Sequence, residues 1–268
     1  MLKALKITPY FMLTKEEIVQ NWLPRYTGTE LNEFGQYILL TNFSNYVGIF
    51  ADMHNVEVKG VGRAMQTATY QDITMINFGM GSPNAATIMD LLTAISPKAC
   101  LFLGKCGGLR SDKNSVGDLL LPIAAIRGEG TSNDYFPPEV PAMPAFALQK
   151  AISTTIRDFE LDYWTGTVYT TNRRVWEHDQ EFKDYLRRIR CLAIDMETAT
   201  IFVTAFRNRI SAGALLLVSD MPMSPEGVKT SKSDEVVTRN YVKTHIQVGV
   251  KSLEQLINNG QTVRHLRF

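Results

Sequence analysis

Residues 215–222 read Leu-Leu-Leu-Val-Ser-Asp-Met-Pro, and residues 193–199 read Ala-Ile-Asp-Met-Glu-Thr-Ala. In both stretches an apolar strand runs straight into an acid. A buried strand of an α/β protein ends at the sheet edge, where such folds build their ligand crevice. A carboxylate delivered there is partly desolvated, which raises its pKa and suits it to acid catalysis. Glu197 and Asp220 can therefore face one ligand from neighbouring strands. The competing reading is that Asp195 and Asp220 only cap the elements that follow. The glycine-rich turns elsewhere in the chain favour a ligand site.

Working outward, apolar runs at Tyr37–Leu40, Ile73–Phe78, Ala99–Leu103, Gly166–Thr170 and Cys191–Ile194 read as further strands, and Asp118–Ile126 as one or two more. Helical spacing links them, with Ala85, Ile88, Met89, Leu92 and Ile95 on one stripe. Thr14 caps a first helix whose apolar face is Ile18, Val19 and Trp22, and a last helix begins near Ser233. Residues 127–144 hold four prolines and read as an extended loop. Strands separated by helices predict an α/β fold, three layers deep (α/β/α), around a central, mostly parallel mixed sheet. No linker or repeat divides the chain, so residues 1–268 are expected to form one domain, with residues 1–36 as a helical N-terminal extension.

Composition narrows the function. A net charge of +1 over 268 residues argues against a nucleic-acid partner. No segment has the roughly 18 apolar residues of a membrane helix, and the first residues lack a signal-peptide core, so a soluble, cytoplasmic protein is expected. Four scattered histidines and three cysteines without a CxxC pair suggest neither a metal site nor a disulfide framework. The last eight residues, with Arg264 and Arg267, are expected to be loose or to dock on a second subunit.

Two glycine motifs follow strands. Gly79-Met80-Gly81-Ser82-Pro83-Asn84 opens a helix, where free N–H groups suit an anion. It lacks the third glycine and distal acid of a dinucleotide fingerprint. Gly104-Lys105-Cys106-Gly107-Gly108 sets a cation among glycines: either a solvated lysine at a loop tip, or a partner for a phosphate or carboxylate. No base pairs recognisably with Cys106, so it reads as a small packing residue. Tyr169-Thr170-Thr171 ends another strand, where it could surround a heterocyclic base or belong to the core.

In this order, GMGxPxA, G-x-C-G, MET and VSD, the motifs resemble the purine nucleoside phosphorylase and nucleosidase superfamily of hexameric type, over the chain from about Tyr37 to the last helix. The lysine of GKCGG and the SDMP…EGVKT…SD stretch are similar to its AMP-hydrolysing nucleosidases. The resemblance implies AMP and water as small-molecule partners, no cofactor, and a homo-oligomer built from dimers, up to a hexamer. It implies Asp220 as the acid at purine N7, Glu197 on the ribose 2′- and 3′-hydroxyls, and Met196 under the sugar. Tyr169, Thr170 and Thr171 would surround the base. Gly81 and the Gly104–Gly108 segment, with Cys106 and Gly107, would line the phosphate side. Asn42, at the end of the first strand, completes the candidate substrate-binding set.

The departures from the phosphorylase pattern are informative. Phe102 stands where phosphorylases have an arginine, Lys105 replaces a small residue, and Thr41–Tyr46 contains no arginine. A free phosphate nucleophile then has no evident cradle, which favours hydrolysis, with Lys105 on the substrate's 5′-phosphate. Arg63, Arg110, Lys229 and Lys232 are further candidate cations, and Lys229 or Lys232 could instead tune Asp220. No base for the water is evident; Asp195 either contributes or braces the loop. Longer relatives carry an N-terminal regulatory domain, and with about 36 residues before the first strand, that allosteric control is not carried over. The alternatives are a phosphorylase or nucleosidase of unphosphorylated nucleosides, and a non-catalytic nucleotide sensor.

Overall fold

The structure, a computed structural model, describes residues 13–258. The expectations for the first twelve residues and for Arg264 and Arg267 lie outside the described residues. Helix α1 (Lys15–Thr27) starts where the sequence places it: the Thr14 hydroxyl accepts from the Glu17 N–H, and the Glu17 carboxylate accepts from the Thr14 N–H. Its buried stripe is Val19, Leu23 and Thr27, one turn apart, so Trp22 faces solvent instead of the core.

The strands are β1 (Tyr37–Thr41), β2 (Gln66–Tyr70), β3 (Ile73–Asn77), β4 (Ala99–Gly108), β5 (Leu119–Gly128), β6 (Tyr163–Thr171), β7 (Ala193–Asp195) and β8 (Ala212–Asp220). They form one sheet in the order β2-β3-β1-β4-β7-β6-β5-β8, and β8 also pairs with β4. Five strands, β4-β7-β6-β5-β8, therefore close into a ring, and β2-β3-β1 extend from it as an open sheet. Pairings β1–β3, β1–β4, β4–β8, β5–β6 and β6–β7 are parallel; β2–β3, β4–β7 and β5–β8 are antiparallel. The sheet is thus mixed and mostly parallel, as expected.

Strand alternation sorts the core into two apolar layers. Ile38, Leu40, Cys100, Phe102, Leu216 and Val218 face one side with α1, α3 (Ser82–Leu91) and α6 (Thr198–Asn208). Leu39, Leu101, Leu103, Leu215 and Leu217 face the other with α2 (Ser44–His54), α4 (Phe146–Asp158) and α8 (Lys243–Asn258). A further helix, α5 (Gln180–Arg188), precedes β7, and α7 (Ser231–Val237) joins α8 through a π-helical turn, Thr238–Val242. The proline-rich loop after β5 is tied down by Arg127, whose guanidinium donates to Ser132, Asn133 and the carbonyls of Phe136, Pro137 and Val140.

Three local expectations change. Helix α2 and strand β2 were not anticipated from the sequence. The third strand does not stop at Gly104: it continues to Gly108 because β8 pairs with it through Gly104, Lys105, Cys106 and Gly107. The glycines of this segment therefore permit close packing within a strand and do not form a loop. A Cβ on Gly104 would lie 2.5 Å from the Phe102 ring and 3.0 Å from Leu216. The last helix is interrupted by the π-helical turn, a feature frequent at functional sites.

Candidate active site

Strand β7 ends in Asp195, and Glu197 lies just before α6. Asp195 accepts hydrogen bonds from the Thr170 hydroxyl at 2.7 Å, from the Thr198 N–H at 2.8 Å and from the Thr198 hydroxyl. The Thr170 oxygen in turn accepts from the Ala199 N–H at 2.9 Å. Asp195 and Thr170 thus staple β6, β7 and the start of α6 together, and Asp195 acts as the brace of this junction.

Glu197 is only 2% exposed. It accepts from the Gly81 N–H at 2.7 Å, from its own neighbour Met196 N–H at 3.3 Å, and from the Asn42 side chain. The Ser82 hydroxyl donates to the Met196 carbonyl at 2.6 Å. Gly81 has φ 94°, a conformation that a side chain would strain. The residue at the start of α3 thus directs its N–H to the protein's own carboxylate. Burial pushes Glu197 up, and the negative charge of Asp195 pushes it further. Asp195 is itself raised by burial, against the pull of its hydroxyl and N–H donors.

Asp220 reaches the same cavity from β8. The β4–β8 register shifts between Cys106 and Gly107, so Asp220 faces Gly107 and Ser219 becomes the extra residue of a bulge. Bulges of this kind re-aim side chains beside active sites. The Ser219 hydroxyl donates to Asp220 Oδ1 at 2.6 Å. Burial pushes the Asp220 carboxyl up, opposed by the Ser219 hydrogen bond and by the charges of Lys229 and Arg174.

Lys105 is not a solvated loop lysine. It is 6% exposed, and its ammonium donates to Asp234 Oδ1 at 2.8 Å and to the Thr238 hydroxyl at 3.2 Å. Lys229 meets the same Asp234 oxygen at 2.9 Å. Both ammoniums lie over the Phe43 ring, 4.7 Å and 5.5 Å from its centroid. Burial lowers the Lys105 pKa, with the Asp234 hydrogen bond opposing.

One cavity joins these groups. Asn42, Lys105, Cys106, Gly107, Thr171, Met196, Glu197 and Asp220 line it, together with Phe43, Trp176, Glu177 and Lys229. Gly81 contributes through Glu197. Tyr169 and Thr170 do not line it. Tyr169 packs edge-on against Phe182 and Tyr185 in an apolar cluster, and Thr170 is turned to Asp195. Cys106 is buried, which pushes its thiol well above the ordinary range and fits it for packing. Phe43, Glu177 and Asp234 were not among the residues expected from the sequence. Asp234 closes the SDMP…EGVKT…SD stretch, but its place beside Lys105 depends on a contact across 129 residues. Among the described residues no cluster of three or more His, Cys, Asp or Glu is placed to hold a metal ion. No described helix is long and apolar enough to cross a membrane.

Comparison with known proteins gives a consistent picture. The family described as Phosphorylase superfamily matches residues 36–257. The chain is similar to an AMP nucleosidase of Escherichia coli K12, 28% identical over 284 residues, covering 89% of this chain and 58% of that relative. It thus spans little more than half the length of that protein. A guanosine phosphorylase of Halorubrum lacusprofundi is 32% identical over 147 residues, 55% of this chain and 60% of the relative. Among solved structures, an AMP nucleosidase from Bacteroides thetaiotaomicron VPI-5482 is 53% identical, with TM-score 0.83, covering 92% of this chain and 99% of that one. A uridine phosphorylase from Vibrio fischeri, 20% identical with TM-score 0.72, shares the fold.

Proposed function

The chain belongs to the phosphorylase superfamily, and on that premise we propose that it hydrolyses the N-glycosidic bond of AMP, releasing adenine and ribose 5-phosphate. The observation that carries this reading is one cavity holding a raised-pKa acid, Asp220, a buried carboxylate, Glu197, and a lysine pair, Lys105 and Lys229. The likeness to AMP nucleosidases over most of the chain supports the choice of AMP.

Breaking this bond requires a protonated leaving base and a sugar carrying positive charge. Asp220, whose carboxyl burial pushes up toward its proton-holding form, donates to N7 as the C1′–N9 bond breaks and its electrons pass into the purine. Glu197 receives the ribose 2′- and 3′-hydroxyls; their hydrogen bonds favour its charged form, which then stabilises the developing cation. Met196 packs under the sugar, and Thr171 and Trp176 border the base. Asn42 donates to Glu197, and its buried Oδ1 has no partner among the described residues. A ribose hydroxyl or the attacking water supplies the donor that this oxygen needs. Water adds at C1′, and the proton it sheds restores Asp220. Lys105 and Lys229 take the 5′-phosphate.

Homo-oligomeric assembly belongs to the same reading. Ile123, Met143 and Phe146 are each more than half exposed, apolar area that association would remove from water. Sedimentation tests it, with a monomer as the contrary result. The activity is tested by following adenine release from AMP and from adenosine, each with and without inorganic phosphate. Phosphate-independent release from AMP is the expected result. Phosphate-dependent cleavage of adenosine would overturn the reading.

A further inference from the structure

The two lysines that the proposed reaction assigns to the 5′-phosphate already share a carboxylate. Lys105 and Lys229 meet one oxygen of Asp234, at 2.8 Å and 2.9 Å, with the Phe43 ring beneath both. Two positive charges and one negative charge leave the cluster a single positive excess. If Asp234 stayed, a phosphoryl dianion would leave the cluster one negative charge in excess. If Asp234 left, the dianion would balance the two lysines.

The surroundings decide which group gives way. The Lys105 side chain is 2% exposed and cannot hydrate, whereas that of Asp234 is 36% exposed and can. Asp234 sits on the short helix α7, on the solvent side of the pair, and its carboxylate does not line the cavity. Lys105 and Lys229 do line it.

Resting on the AMP reading for its substrate, we propose that Asp234 is a specificity-determining residue for the 5′-group. It occupies Lys105 and Lys229 in the unliganded protein and yields them to a doubly charged phosphoryl group. A neutral 5′-hydroxyl or a singly charged group leaves the carboxylate in place and gains nothing from the lysines. The preference for nucleotide over nucleoside therefore arises from competition as well as from attraction. Such a built-in competitor is discrimination by an occupied alternative, which rejects weak ligands more than it weakens strong ones.

The test uses methyl phosphate, a dianion at about pH 8, and methyl sulfate, a monoanion of similar shape, titrated calorimetrically into the unaltered protein and into Asp234→Asn. The unaltered protein is expected to favour methyl phosphate by about tenfold or more. The variant is expected to bind methyl sulfate roughly fivefold tighter, narrowing the gap; a pair worth about 1 kcal/mol corresponds to that factor. Weaker binding of both anions by the variant, or an unchanged gap, would show Asp234 to be a support for the lysines and overturn the proposal. A crystal structure of the unaltered protein with ribose 5-phosphate is independent of the variant's folding. A Lys105–Asp234 separation beyond salt-bridge range is expected there, and an intact contact beside the bound phosphate refutes the idea. Neither measurement needs turnover. Failure to cleave AMP with the anion result intact would sink the reaction alone; cleavage without the anion result would sink Asp234's role alone.

Discussion

Replacing Asp220 by asparagine removes one transferable proton and little else. The side chains match in volume, and the asparagine oxygen can still accept from the Ser219 hydroxyl that lies 2.6 Å from Asp220 Oδ1. The amide can hydrogen-bond N7 of a bound purine but cannot protonate it. Binding is therefore expected to persist, with KM for AMP within about threefold, while kcat falls by roughly 10²–10⁴, the usual worth of a positioned acid. At about 1.36 kcal/mol per tenfold, that is ~3–5 kcal/mol of barrier. The pH profile gives a second sign to check. Burial raises the Asp220 pKa, so the protonated acid is present at low pH and is lost as pH rises through the raised value. The alkaline fall in kcat of the unaltered enzyme should vanish in Asp220→Asn. Adenine release from AMP, followed under saturating substrate across pH, reads both quantities. A variant with nearly full kcat and the same alkaline fall would refute the role assigned to Asp220.

Lys105→Met removes a buried cation of the proposed phosphate subsite; KM for AMP should rise on the order of 10–100-fold, while any slow cleavage of adenosine stays unchanged in steady-state assays. Glu197→Gln should abolish most turnover yet raise the melting temperature at neutral and alkaline pH. The folded pKa of Glu197 is raised above 4.5 to about 8, so the native state binds more protons than the unfolded state in that window and loses stability as pH rises through it. The melting advantage of the variant, a few degrees at about pH 8, should shrink toward acid, and a constant difference across pH would contradict the linkage. Gly104→Ala places a methyl group 2.5 Å from the Phe102 ring and 3.0 Å from Leu216. Overpacking there should destabilise the fold by about 1–3 kcal/mol, visible as a lowered denaturant midpoint.

The strand-then-acid pattern was legible because it is local. The four apolar residues Leu215–Val218 before Ser219 and Asp220 specify a buried strand, and an acid beyond the apolar run meets the cavity wherever that strand ends. Thr14 with Glu17 announced α1 for the same reason. The bulge at Ser219, which aims Asp220, arises from pairing with β4, and no pattern within residues 212–220 reveals it. Strand β4 was cut short in the sequence reading since Gly104-Lys105 resembles a loop. Its continuation depends on a partner strand far along the chain. The Lys105–Asp234 contact likewise joins residues 129 positions apart. Tyr169 and Thr170 sit on the anticipated strand, yet Thr170 alternates away from Thr171 to serve Asp195, and Tyr169 is held in the aromatic cluster with Phe182 and Tyr185.

The closed ring of strands also bears on how the chain comes to be made and kept from sticking to its copies. Strand β8 supplies neighbours to both β4 and β5, with Cys100 opposite Ala212 and Leu119 opposite Leu217. Until β8 has been synthesised, two apolar strands carry unpaired backbone edges, the kind of surface on which chains aggregate. Once it closes, the outermost strand among the described residues is β2, and part of its outer edge is covered by the Lys59–Thr67 bridge. A truncation just before residue 212 would thus expose the very edges the native protein seals, and would leave a chain prone to strand-to-strand association.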